Sequence, residues 1–362
     1  MKAGSGLPGA AIGAHTTGAP PANDNERRMV VEKMRLFGDL DVRVDPWQVD
    51  YGAELPIVPE EERFDEEIIL DIEVSPDQWQ PLTPASANPI RRLVFVDGVR
   101  RIEARLIVRR GEHICHGAFG SYAVGWVSAL ANVATCGEPR VDRVVAIGSG
   151  EQLPQTVAPL PTLLYRPVST ASPDPDGPLH VLQDEMRGAE ERLGRELANA
   201  DDTLVVADGP LTFEQPLRGA AVGYIKRLFK LYLPTEKLGL MARLGAGERT
   251  PIFALRSSHR FARYSWFLRL APAGPGDSEL TGIVRLEVAE AVGADAARRL
   301  ADATALMLPR FAPRRWRDPR SPQNLLPIGA LESHLRRHLG DPRLIRRHIE
   351  TLITEEARHA GR

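Results

Sequence analysis

RLVFVDGVRRIEARLIVR, Arg92 to Arg109, is the stretch on which the fold is decided. Its opening, RLVFVD, is too short and too β-branched for a helix and reads as a buried strand ending at Asp97. Gly98 to Arg101 reads as a turn. Ile102 to Arg109 (IEARLIVR) alternates apolar and polar residues, as a half-exposed strand does. Ile114 to Val127 adds a Gly-interrupted strand, so the region reads as a three-stranded antiparallel meander.

Downstream, Arg143 to Ile147 reads as a short strand and Pro154 to Pro178 as Pro-rich irregular chain. Leu182, Met186, Ala189, Leu193 and Leu197 recur at helical spacing, which predicts a helix over Leu179 to Ala200. Asp202 to Asp208 (DTLVVAD) is a second buried strand that ends in aspartate. A helix is expected over Ala220 to Leu233, then strands near Ile252 to Leu255, Ser265 to Leu270 and Gly282 to Val288. Helices close the chain at Ala294 to Leu308, Leu326 to Leu339 and Pro342 to Glu356. A meander followed by helix, strand and helix is the order of a ribonuclease H-like α/β fold: a mixed sheet with flanking helices, here with an N-terminal extension and C-terminal helices. That fold lays the first strand and the post-helix strand side by side and parallel, which brings Asp97 and Asp208 together at one end of the sheet.

Upstream of this core lie an expected disordered tail with a short charged helix (residues 1–40, the helix at Glu26 to Phe37) and an extension (41–90) with a strand at Glu67 to Val74. The main domain, with the C-terminal helices, is expected over 91–356. The chain has 362 residues, 43% of them hydrophobic, an ordinary balance for a globular protein. No apolar run is long enough to span a bilayer, and the Gly/Ala/Pro-rich N-terminus lacks the pattern of a signal peptide, so a cytoplasmic protein is expected. The two cysteines, Cys115 and Cys136, are expected to be buried free thiols. The net charge of −2 excludes a histone-like binder but leaves room for local basic faces.

An Asp-Gly pair ending a strand is often a turn, because Asp bonds its own backbone and Gly accepts positive φ. Two such aspartates held close would repel each other and raise one pKa unless a cation sat between them. A hard divalent ion with oxygen ligands resolves the conflict. On the intervening helix only positions 184, 188, 191 and 195 share a stripe, so Asp184 and Glu191 travel together. The residues alone leave Glu191 and Glu190 level as a third carboxylate. Glu332, His334 and His338 do not complete a zinc ligand set. Gly148-Ser149-Gly150 has the spacing of neither a P-loop nor a dinucleotide fingerprint.

Four segments resemble, in order, the motifs of the NurA nuclease family: VFVDGVRR (Val94 to Arg101), LVVADGPL (Leu204 to Leu211), VGYIKRL (Val222 to Leu228) and LLPIGALESHLRR (Leu325 to Arg337). Val99 stands where the family often has a small hydroxyl residue, and Leu325-Leu326 where an aromatic is expected. The resemblance implies a manganese- or magnesium-dependent DNA nuclease with one or two ions. It implies 5′-to-3′ exonuclease action, often with single-strand endonuclease action, and a homodimer that partners a HerA-like hexameric ATPase in DNA end resection or defence against phage. It also implies Asp97, Glu191, Asp208 and His334 as catalytic and metal-binding residues, with His334 as ligand or as proton donor to the leaving oxygen.

Lys226 is expected on a helix, gripping a phosphate. Arg100 and Arg101 are expected to face DNA beside Asp97. Arg314, Arg315, Trp316, Arg317 and Arg320 form a basic loop around an aromatic ring, a mixture suited to single-stranded DNA. His259, Arg260, Phe261, Arg263 and Tyr264 form a similar mixture. Two other readings stand beside the DNA nuclease: a non-catalytic DNA-binding subunit of the motor, and a ribonuclease H-like enzyme cutting RNA or hybrids.

Overall fold

The structure, a computed structural model, describes residues 35–46, 66–84, 90–130, 133–214, 219–314 and 316–360. Arg315 and most of the Glu26 to Phe37 segment lie outside the described residues. Thirteen strands among the described residues form one mixed sheet. Strands β1 (Asp41–Val44), β2 (Glu67–Ile69), β3 (Arg92–Arg110), β4 (His113–Leu130), β5 (Val133–Cys136), β6 (Arg140–Ile147), β7 (Val157–Leu160) and β8 (Leu163–Ser169) precede helix α1 (Gly177–Ala198). Strands β9 (Thr203–Asp208) and β10 (Ala220–Ile225), helix α2 (Thr235–Arg243), and strands β11 (Phe253–Arg256), β12 (Arg263–Arg269) and β13 (Ile283–Ala289) follow. Helices α3 (Ala294–Met307), α4 (Leu326–His338) and α5 (Pro342–Ala360) complete the chain.

The sheet runs β2-β11-β12-β13-β10-β9-β3-β4-β6-β8-β7, with β1 also on β3 and β5 also on β4. Pairs β3/β9, β9/β10 and β6/β8 are parallel. The meander β3-β4-β6, the helix α1 and the parallel β9 beside β3 make the ribonuclease H-like arrangement. Both described strands of the N-terminal extension are built into this sheet.

The expected turn at Gly98 to Arg101 does not form. β3 runs through it for 19 residues, about 60 Å at strand rise. A register shift between Ile102 and Ala104 is the sole irregularity in its pairing with β4. The long hairpin serves two cores. Its first half is sandwiched: Leu93 and Phe95 face α3 and α4, whereas Val94 and Val96 face α1. Its second half, with β1, packs against α5 through Ile345, Ile349 and Ile353.

Three further expectations need correction. Ala220 to Leu233 is not a helix: AAVGYI forms β10, buried and parallel to β9, because a short apolar run pairs as readily as it coils when strands flank it. The Pro-rich 154–178 stretch contains β7 and β8. Of the two free cysteines, Cys115 is buried but Cys136 is exposed. No helix among the described residues is long and apolar enough to cross a membrane.

Candidate metal centre

Alternation along the central strands builds the site. Leu93 and Phe95, Leu204 and Val206, and Val222 and Tyr224 all face the α3/α4 side. The next residue of the same parity on each strand is Asp97, Asp208 and Lys226 in turn. Register aligns them: Val96 pairs with Ala207, and Tyr224 with Asp208. Asp97 therefore lies inside a strand, not at its end as expected; it reaches the ligand position because its parallel neighbour β9 stops at Asp208.

The two Asp-Gly pairs differ in kind. Gly209 has φ of +97°, so it is a turn glycine. Gly98 is extended strand, and its lack of a side chain makes room. A Cβ there would sit 2.5 Å from Glu190 Oε1 and 3.0 Å from Met186 Cγ. Glu190 reaches the sheet through that gap, hydrogen-bonded to the Gly98 backbone. Glu191 points the other way, its carboxylate 2.9 Å from Arg195. The helix thus presents Glu190, not the expected Glu191, to the aspartates. The signal lay in the sequence: Leu182, Met186 and Glu190 follow at four-residue steps, so Glu190 continues the buried stripe.

From the opposite side α4 supplies Glu332. Its carboxylate and those of Asp97 and Asp208 each offer an oxygen, all within 4.8 Å of one another. His334, expected here, is not in that group; its ring packs against His338, with centroids 4.5 Å apart. Ile328, Leu331 and Leu335 bury one face of α4. Glu332 follows Ile328 by one turn and borders that face, whereas His334 is rotated away.

Lys226 enters the cluster itself, from the end of β10 rather than from a helix. Its ammonium lies 2.6 Å from Asp208 Oδ2, 2.9 Å from Asn324 Oδ1 and 3.8 Å from Glu332 Oε1. Asn324, buried, donates in turn to Asp318 Oδ2 at 2.8 Å. Arg320 grips both oxygens of Glu332, at 2.9 and 2.7 Å. Beneath the loop after Asp208, the buried Glu287 accepts from the Leu211 amide at 2.9 Å and pairs with Arg260, Arg263 and Arg285. Those arginines hold its carboxyl far below the usual range against the opposing effect of burial.

The electrostatics are those of a site built for a cation. Burial, then the charge of Asp208, pushes the Asp97 carboxyl well above its ordinary value. Burial and Asp208 likewise raise Glu190 to about 8. Burial works against the charge of Lys226, but Asp208 and Asp97 outweigh it and raise its pKa. Asp97 is 6% exposed. Its Oδ1 accepts from the Gly98 amide at 2.8 Å, while Asp97 Oδ2 and Asp208 Oδ1 are buried without a hydrogen-bond partner. Such orphaned acceptors are costly unless something binds them. Buried carboxylate oxygens with no proton donor fit a hard divalent ion. This Asp/Asp/Glu cluster is capable of coordinating one.

The remaining expected residues divide. Arg101 is committed to structure: it holds Glu103 at 2.9 and 3.0 Å and caps the end of α4 through the carbonyls of Leu339 and Gly340. Arg100 bonds Gln183 on α1. Arg260 and Arg263 are spent on Glu287 and Glu66, so the 259–264 mixture is a buried ion network rather than a free basic face. Arg314 and Arg317 are exposed, and Trp316 is 74% exposed with Arg317 stacked 5.1 Å from its centre. This loop precedes Asp318 and Asn324, the anchors that reach Lys226.

No family model and no curated protein matches the sequence. Among solved structures, the NurA nuclease from Sulfolobus solfataricus is similar over 77% of this chain and 88% of that one, at 9% identity and a TM-score of 0.42. A NurA crystallised with manganese is similar over 37% of this chain and 23% of that one, at 15% identity and a TM-score of 0.17.

Proposed function

We propose that this protein is a manganese- or magnesium-dependent DNA nuclease. One observation carries the reading: two buried, unpartnered carboxylate oxygens, Asp97 Oδ2 and Asp208 Oδ1, on adjacent parallel strands. Asp97, Asp208 and Glu332 would hold the ion, and Glu190 stands behind Gly98 as a fourth carboxylate. The ion would supply the Lewis acidity that activates water and offsets charge on the phosphate. Lys226 presents an ammonium to the same point, where it can face a phosphate oxygen. Trp316 and Arg317 offer a stacked ring and guanidinium suited to unpaired bases. DNA as substrate, 5′-to-3′ polarity, a homodimer and a HerA-like motor partner in end resection or defence are what the resemblance of the four sequence motifs to the NurA family implies.

The test is cleavage of labelled DNA and RNA in Mn2+ by the wild type, Asp97→Ala and Asp208→Ala. The reading expects DNA cleavage by the wild type and a loss of at least two to three orders of magnitude in both variants. Undiminished cleavage by the variants would sink the site, and cleavage of RNA alone would sink the substrate.

A further inference from the structure

Four carboxylates and one lysine meet at the centre, and the lysine is the unusual member. In sites that use two ions about 3.5–4 Å apart, a shared carboxylate commonly gives one oxygen to each ion. Asp208 stands where such a bridge would stand. Its Oδ1 is buried and unpartnered, but its Oδ2 is 2.6 Å from Lys226 Nζ. Lys226 is also held by Asn324 Oδ1 at 2.9 Å and faces Glu332 Oε1 at 3.8 Å. An ammonium has three donors, and here each has an oxygen to face. Asn324 is fixed in turn by Asp318, and Glu332 by both nitrogens of Arg320. The two buried oxygens that no protein donor satisfies are Asp97 Oδ2 and Asp208 Oδ1, and Asp97, Asp208 and Glu332 offer one cluster of oxygens, all within 4.8 Å of one another.

We propose that Lys226 occupies the place of a second ion, so that the centre takes one divalent cation and uses the lysine ammonium as its fixed second positive charge. This rests on the reading of the site as a divalent-metal centre. A fixed ammonium does the electrostatic part of a second ion's work, facing charge on the phosphate, without its own water to activate. Lys226 directly follows β10, whose parallel register with β9 sets Tyr224 opposite Asp208 and so brings Nζ to that carboxylate.

Stoichiometry tests this directly. The full chain is titrated with Mn2+ by calorimetry, and Mn2+ bound at saturation is counted by native mass spectrometry, for wild type, Lys226→Arg and Lys226→Gln. One ion is expected in wild type and Lys226→Arg, and two in Lys226→Gln, where the ammonium is gone and Asp208 Oδ2 is released. Two ions in the wild type, or one in a folded Lys226→Gln, overturns the proposal while leaving a metal centre in place. No ion in the wild type overturns the metal reading and this proposal together. Should Lys226→Gln fail to fold, electron paramagnetic resonance of the Mn2+-saturated wild type decides. An isolated-ion signal is expected, and a spin-coupled pair overturns the inference.

Discussion

Replacing Asp97 by Asn isolates the electrostatic argument. Asn keeps the shape and an oxygen for the Gly98 amide, which now bonds Asp97 Oδ1 at 2.8 Å, but removes the charge. Asp97 and Asp208 offer oxygens within 4.8 Å of each other. Two unit charges at that separation repel by about 3–4 kcal/mol at an effective dielectric near 20. The nearby Lys226 ammonium and the upward push of burial on the Asp97 pKa reduce what is recovered, so the variant should gain about 1–2 kcal/mol in the metal-free state. At roughly 2 °C per kcal/mol for a chain this large, Tm rises by about 2–4 °C. Excess Mn2+ should raise wild-type Tm further, since an ion at 100 times its Kd adds about 2.7 kcal/mol. The variant should show almost none of that rise. Differential scanning calorimetry with and without Mn2+ reads both effects. A variant that melts lower without metal and keeps the full Mn2+ response would refute the reasoning.

Gly98→Ala should lower activity at least tenfold, because its Cβ lands 2.5 Å from Glu190 Oε1; Gly209→Ala meets no atom there, and thermal melts should show only a backbone strain cost of about 1 kcal/mol. Trp316→Ala should leave stability within about 0.5 kcal/mol but weaken single-stranded oligonucleotide binding by about 1–3 kcal/mol, read by fluorescence anisotropy. Glu190 has a carboxyl raised by burial and by Asp208 from 4.5 to about 8. Its proton is favoured in the folded state, so the stability it contributes is present below about 4.5 and lost as pH rises to about 8. Metal-free wild type should therefore lose stability across that window, and Glu190→Gln should flatten the loss in denaturant titrations at several pH values.

Each residue of the fold and the centre leaves a different kind of signal in the sequence. The short, β-branched apolar runs Leu93 to Val96 and Leu204 to Val206 mark two buried strands, and the order of elements around them marks the ribonuclease H-like sheet. An Asp-Gly pair usually marks a turn; the role of Gly98, space for Glu190, exists only once α1 lies on the sheet. Ala220 to Ile225 carries no period that separates a buried strand from a helix, and only pairing with β9 and β13 decides it. Glu190 was legible in principle, as the polar residue continuing an apolar stripe. Glu332 was overshadowed by His334, and the place of Lys226 beside Asp208 depends on a register that no local pattern encodes.

The most direct test of the centre is anomalous diffraction from crystals of the protein soaked in Mn2+. One strong peak is expected between Asp97 Oδ2 and Asp208 Oδ1, within reach of Glu332, with Lys226 still against Asp208. A peak elsewhere, or none at saturating Mn2+, would contradict it.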